Sequence, residues 1–137
     1  MSRLLLRAKR IGLLGEVPVS AVVLDQKGRC IGYGSNERRR KNNPLGHAEI
    51  IALRQAALVK NDWRFNDCTL MVTLEPCPMC AGAILNSRLK GVVYGVPDDQ
   101  WGSCGSYYDI CRDRKDHSLP IVVGGILAQD CKSLIDD

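Results

Sequence analysis

The residues with the clearest chemistry lie in two short segments, 46–49 (GHAE) and 75–80 (EPCPMC). The first supplies the imidazole of His47 and the carboxylate of Glu49, and the second supplies the thiols of Cys77 and Cys80. One histidine and two cysteines are good zinc ligands, and three protein ligands leave the open fourth position that a catalytic zinc requires. The two segments together predict a hydrolytic metal site in which Glu49 moves protons beside the ion.

The Cys-x-x-Cys pair is ambiguous by itself, because the same spacing occurs in redox pairs and in structural zinc sites. A redox pair has no need of a His-x-Glu segment, and a structural zinc needs a fourth protein ligand at ligand spacing. The other histidine, His117, follows a charged run over 112–116, where a surface histidine is expected. The combination with segment 46–49 therefore favours the catalytic metal site.

Hydrophobic patterning predicts the elements that must position these side chains. An apolar stripe at helical spacing predicts an opening helix within 1–15, ended by its glycines. The remaining predicted elements are a hairpin of strands over 17–24 and 29–33, helices over 47–60 and 77–87, strands over 69–74, 91–96 and 121–123, and a closing helix over 126–135. Residues 34–36 are expected to leave the sheet and 106–115 to be partly helical. This order predicts one α/β domain over 1–137 with a mostly parallel sheet.

Segments 46–49 and 75–80 both lie at the start of a predicted helix, and this position favours metal binding by their side chains. Cys77 and Cys80 are three residues apart in a first helical turn, so their sulfurs lie on one side of the helix. The unpaired N–H groups and the positive end of the helix dipole favour the thiolate forms there. Glu49 lies two residues beyond His47 and points elsewhere on its helix, so it is expected to reach a bound water rather than the ion.

Composition and charge restrict the class of protein. The chain has 137 residues, 45% of them hydrophobic, and a net charge of +4, which permits a nucleic-acid partner without establishing one. Seven cysteines cannot all pair internally, and the absence of a secretory signal indicates the cytoplasm. The opening basic segment is similar to a transit peptide, but its apolar stripe favours a helix. No apolar run is long enough to span a membrane.

The basic run 38–41 is either a solvated loop or a phosphate-contacting patch.

The two segments also match a known signature residue for residue. His-x-Glu followed by Pro-Cys-x-x-Cys, here at 47–49 and 76–80, marks the zinc-dependent base deaminases. Further matches at 16–19, 73–76, 80–84 and 92–95 extend the likeness over nearly the whole chain. The chain resembles the bacterial tRNA-specific adenosine deaminases of the cytidine/deoxycytidylate deaminase superfamily. The resemblance implies a three-layer α/β/α cytidine-deaminase-like domain with a central mixed sheet of about five strands.

The resemblance also implies an activity and its residues. The family converts the wobble adenosine of a tRNA anticodon to inosine, as a cytoplasmic homodimer without a membrane segment. His47, Cys77 and Cys80 would hold one Zn²⁺ per chain, and Glu49 would carry protons from water to the purine and the departing amine. The asparagine matching Asn36 holds the purine in the family, and a turn asparagine is the other interpretation. The expected contacts to the anticodon stem-loop are Asn36, Ala48 and Pro76, together with Arg38, Arg39 and Arg40 if the basic run contacts phosphates.

The segment 98–106 departs from the family pattern. Relatives often carry Asp-x-Lys-x-Gly-x-x-Gly-Ser, whereas here Gln100 stands in place of the lysine and Trp101 follows it. Trp101 either stacks on a base or belongs to packing or a dimer surface. Two alternatives therefore stay open: a deaminase of a free base or nucleoside, such as guanine or cytosine, and a catalytically silent zinc-containing RNA-binding subunit. Glu49 disfavours the silent subunit, since a structural zinc has no use for a proton-transferring carboxylate.

Overall fold

The computed structural model describes residues 1–112 and 119–136. The helices in these ranges are α1 (Ser2–Leu13), α2 (Ala48–Lys60), α3 (Pro78–Asn86) and α4 (Ala128–Asp136). The strands are β1 (Ser20–Leu24), β2 (Cys30–Ser35), β3 (Thr69–Leu74), β4 (Gly91–Val96) and β5 (Ile121–Val123), and a 3₁₀ turn covers Ile110–Arg112. No helix in the described ranges has the length and apolar character needed to cross a membrane.

The five strands form one sheet in the order β2-β1-β3-β4-β5. Strand β1 pairs antiparallel with both β2 and β3, whereas β3, β4 and β5 pair in parallel. The expected mixed sheet is therefore confirmed. The expectation of a mostly parallel sheet is wrong, because the opening hairpin joins β3 through an antiparallel pairing.

Helices cover both faces of this sheet. Helices α1 and α4 contact each other, and α2 and α3 contact each other. The central strands bury apolar side chains such as Ala21, Val23, Leu70, Val72 and Val92 between these layers. The expected α/β/α layering is confirmed.

Several predicted boundaries differ from the structure, and the largest differences are at α1, at β2 and in segment 106–115. Helix α1 continues through Gly12 to Leu13, and the chain reverses at Gly15, which has a φ of 89°. Strand β2 continues through Gly34 and Ser35, which were expected to leave the sheet. It does so because Gly34 pairs with Ala21, and the Ser35 hydroxyl lies 2.6 Å from the hydroxyl of Ser20. The partial helix predicted over 106–115 is the 3₁₀ turn, and His117 lies outside the described residues.

Helix α2 packs so closely against β2 that the backbones of the two elements are in contact. The helix presents the small, buried residues Ala48, Ala52 and Ala56 to the sheet, and β2 presents Gly32 and Gly34 to the helix. A Cβ atom placed on Gly34 would lie 2.6 Å from the carbonyl oxygen of Ala48 and 2.8 Å from the backbone nitrogen of Ala52. Only glycine permits this approach, which fixes the start of α2 on the sheet.

The substitution Gly34→Ala is therefore expected to destabilise the fold by about 1–3 kcal/mol, because the added methyl group overpacks a backbone-to-backbone contact. Urea denaturation followed by circular dichroism measures the change in the free energy of unfolding.

Gly82→Ala is the matched control, because Gly82 lies on α3 with open space around an added Cβ. It is expected to stabilise the protein by about 0.5–1 kcal/mol, since alanine is the better helix former. Equal effects of the two substitutions would contradict the packing described for β2 and α2.

Candidate metal centre and substrate pocket

Two helix starts bring the candidate ligands together. His47 is the N-cap of α2, with extended backbone angles, and Cys77 is the N-cap of α3. Pro78 occupies the first turn of α3, where its missing N–H costs nothing, and Cys80 completes that turn. The backbone N–H groups of both helix starts therefore point toward the cluster of side chains.

The three donor atoms have the spacing of zinc ligands. Nδ1 of His47 lies 3.5 Å from Sγ of Cys77 and 3.6 Å from Sγ of Cys80. A tetrahedral zinc with its usual bond lengths separates a nitrogen and a sulfur ligand by about 3.6 Å. All three atoms lie within 4.8 Å of one another, and in the parts of the chain that are described they form the one such group. The donor set and its spacing fit zinc with one open position.

The cluster favours an anionic sulfur. The pKa of the Cys77 thiol is lowered to about 4, chiefly by a hydrogen bond from Cys80 and then by His47. The pKa of Cys80 is raised, because its proton is held by Cys77 and because it is buried. The hydrogen bond with Cys77 also raises the pKa of His47. These contacts favour the thiolate form of Cys77, which lies at a helix N-terminus, a position that also stabilises a thiolate.

Glu49 is a buried carboxyl group beside the cluster. It lies in the first turn of α2, is 4% exposed, and lines the same cavity as His47 and Cys77. Burial raises its pKa to about 7, against the opposing effect of hydrogen bonds and of the His47 charge. A carboxyl group that titrates near neutral pH can both accept and donate a proton, so Glu49 is suited to general acid–base work.

A cavity of about 520 Å³ opens over this cluster. Of the substrate contacts expected from the sequence, Asn36, Ala48 and Arg38 line it. Asn36 is buried, and its Oδ1 accepts a hydrogen bond of 3.0 Å from the backbone N–H of Arg38. The side chain therefore stabilises the turn that it starts and also borders the cavity.

The other expected contacts lie elsewhere. Pro76 is buried outside the cavity lining, and its carbonyl accepts a hydrogen bond from Ser103. Arg39 and Arg40 are also absent from the lining, and their backbone N–H groups donate to the buried carboxylate of Glu16 at 3.1 and 2.8 Å. The Arg40 guanidinium also pairs with Glu16. Glu16 thus anchors the middle of the basic run, and Arg38 alone of these three arginines borders the cavity.

Among the remaining wall residues, only Trp101 was considered from the sequence, as a residue that either stacks on a base or belongs to packing or a dimer surface. Asp98 and Trp101 follow the end of β4, just as segment 75–80 follows the end of its parallel neighbour β3. Because the carboxyl ends of parallel strands meet at one edge of a sheet, this placement could have been inferred. The apolar part of the wall carried no such signal and consists of Val17, Val19, Leu74, Pro78 and Met79.

The Glu75 carboxylate binds residues 98–106, termed here the β4 loop, through hydrogen bonds and so holds the loop against the segment that carries Cys77. The carboxylate accepts hydrogen bonds from the backbone N–H groups of Asp98, Cys104 and Ser106 at 3.0 to 3.1 Å, and from the Ser106 hydroxyl. The side chain is 2% exposed. A Cβ on Gly102 would lie 2.5 Å from the Glu75 carboxyl carbon, so the loop packs closely on the carboxylate.

Residues 1–96 match the family model described as the cytidine and deoxycytidylate deaminase zinc-binding region. The chain belongs to this family. The match includes both helix starts, so the His-Cys-Cys cluster lies in the part of the chain that defines this zinc-binding family.

Two curated relatives and one solved structure are similar to the chain. It is 44% identical to a tRNA-specific adenosine deaminase of Haemophilus influenzae, over 90% of this chain and 72% of that protein. It is 42% identical to a tRNA(Ile)-lysidine synthase of Deinococcus deserti, but it spans only 24% of that protein. A solved structure from work on A-to-I editing by tRNA:A34 deaminases superposes with a TM-score of 0.89 at 33% identity, over 95% of this chain and 94% of that one.

The substitution Glu75→Gln is expected to loosen the β4 loop, because the amide replaces a charged acceptor of several hydrogen bonds, each worth about 1.5–3 kcal/mol. Hydrogen exchange should become faster at the amides of Asp98, Cys104 and Ser106. Asp99→Asn, a change of the same kind at an exposed position of the loop, is the control and should leave these rates unchanged. Protection that persists in Glu75→Gln would show that the carboxylate does not hold the loop.

Proposed function

We propose that the protein hydrolytically deaminates the wobble adenosine of a tRNA anticodon, producing inosine and ammonia. The observation that carries this proposal is the meeting of His47, Cys77, Cys80 and the buried Glu49 at one cavity. The zinc-deaminase family supports the reaction type, and the relatives and solved structure named for tRNA adenosine deaminases support the substrate.

In this proposal His47, Cys77 and Cys80 hold one zinc ion per chain, which their spacing of 3.5 and 3.6 Å fits. Bound zinc supplies the Lewis acidity that makes a water molecule nucleophilic near neutral pH. Glu49 is not a fourth ligand, and its carboxylate is left for the protons of the reaction.

Glu49 carries the proton transfers. Its carboxylate takes one proton from the attacking water as the oxygen bonds to C6 of adenine, and it delivers this proton to the ring nitrogen. It then takes the second proton from the new C6 hydroxyl and delivers it to the departing amine. The C6–N bond then breaks and ammonia leaves. A pKa raised to about 7 by burial suits a group that must act as base and then as acid at neutral pH. Because Glu49 is buried, the adenine must leave its base stack and enter the cavity.

The RNA side of the proposal rests on Arg38 and its surroundings. Arg38 borders the cavity, and the basic run that it begins is exposed on the surface. Cations beside the entrance of a base pocket are suited to the phosphates of a stem-loop.

The proposal places the chain in the cytoplasm, as one deaminase domain over 1–137 that forms a homodimer. Exposed apolar side chains of Leu58, Val59 and Trp63 are typical of a protein interface and support the dimer.

A substrate panel tests the function most directly. An anticodon stem-loop containing the wobble adenosine, free adenosine, guanine and cytosine are each incubated with the zinc-loaded protein, and the products are separated by chromatography. Inosine is expected in the stem-loop, with much slower turnover of the free compounds. Rapid turnover of a free base without inosine in the stem-loop would assign a free-base deaminase. Binding without turnover of any compound would assign a silent subunit.

Glu49→Gln is expected to lower kcat by about 10²–10⁴-fold, because the amide cannot transfer the protons. The zinc content measured by elemental analysis should stay unchanged, since Glu49 is not a ligand. Cys77→Ala should instead lose zinc and stability together, while Cys30→Ala, at an exposed cysteine, is the control for removing a thiol. Full activity of Glu49→Gln would contradict the mechanism.

A further inference from the structure

Trp101 is a large aromatic side chain that is exposed at the edge of the cavity. Its residue surface is 60% exposed, and it lines the same cavity as His47 and Glu49. Burial of a tryptophan side chain away from water is among the most favourable in free energy of all side chains. Its exposure beside the reacting groups therefore points to a ligand that covers it when the substrate binds.

The turn that carries Trp101 is held in place. The Asp98 carboxylate accepts hydrogen bonds from the backbone N–H groups of Gln100 and Trp101 at 3.0 and 3.2 Å. The Gly102 N–H donates to the Asp98 carbonyl at 2.9 Å, and the Asp98 N–H donates to buried Glu75 at 3.1 Å. The backbone is thus fixed on both sides of Trp101, so only the side-chain torsions of the indole remain to be ordered when a ligand stacks on it.

The surroundings of Trp101 favour a nucleotide over a protein partner. Arg38 lines the same cavity and supplies a cation, whereas the Asp98 carboxylate is already engaged by the turn. An aromatic face combined with a nearby cation is the combination that binds unpaired nucleotides. A second copy of the chain seated on Trp101 would cover the entrance to Glu49.

We propose that Trp101 stacks on an unpaired nucleotide adjacent to the deaminated adenosine, and so makes the enzyme select a looped RNA over a free base. This inference rests on the proposed function, and it concerns the residue that follows Gln100, the position where the β4 loop departs from the family pattern. Trp101 is a specificity-determining residue, and the proton transfers remain those of Glu49.

Steady-state kinetics with the anticodon stem-loop test this role. Trp101→Ala is expected to raise KM about 5- to 100-fold, the loss of one base–aromatic stack, with little change in kcat. Trp101→Phe should recover part of the loss, and the zinc content of both variants should equal that of the wild type. Free adenosine offers no neighbouring nucleotide, so Trp101→Ala should lower its kcat/KM far less than the kcat/KM for the stem-loop. An unaltered KM for the stem-loop would overturn the proposal.

Fluorescence tests the contact without turnover. The chain has two tryptophans, so Trp63→Phe leaves Trp101 as the only indole. Titration of this variant with the stem-loop should quench the emission, whereas free adenosine should not. Quenching in a protein that deaminates no stem-loop would support the stack and refute the proposed function. Deamination without quenching would support the proposed function and refute the stack. If Trp101→Ala shifted the sedimentation coefficient while KM stayed constant, Trp101 would belong to an interface between copies and the proposal would fail.

Discussion

The backbone contact between α2 and β2 is the constraint on which the candidate site depends. Gly32 and Gly34 have no side chains to separate the strand from the helix, and the alanines of α2 occupy the remaining space. The helix can therefore neither lift off nor slide without a clash or a void. His47 and Glu49 lie at the start of α2, so the same contact holds them in place against the sheet. The nitrogen–sulfur distances of 3.5 and 3.6 Å depend on this fixed helix start.

The other half of the site depends on the end of β3. The strand delivers Glu75 into the interior and Cys77 to the start of α3, so one short segment has two tasks. The Glu75 carboxylate holds the β4 loop, and the loop forms the wall with Asp98 and Trp101. A rigid wall beside a preordered donor cluster needs little reorganisation when substrate binds, and such preorganisation is a large part of catalysis in polar sites.

The sequence predicted the parts that depend on local pattern. The bounds of β3, β4 and β5 are confirmed, because polar, proline or glycine residues flank these short apolar runs. The residue types of segments 46–49 and 75–80, taken together with their spacing, singled out the His-Cys-Cys cluster that the structure brings together. The extension of β2 was missed, since residues 34–36 have the composition of a turn and the glycine instead serves a close approach. Contacts across the fold were also missed: nothing near Arg39 or Arg40 indicates that Glu16, more than 20 residues away, binds their backbone.

The central claim is that one histidine nitrogen and two cysteine sulfurs hold a zinc ion whose fourth position is open to water. X-ray absorption at the zinc edge of the purified protein measures this coordination directly. The account predicts two sulfur neighbours at about 2.3 Å and two nitrogen or oxygen neighbours at about 2.0–2.1 Å, one of the latter exchangeable for a small anion. A shell of four protein ligands with three or four sulfurs, or a shell without sulfur, would contradict it.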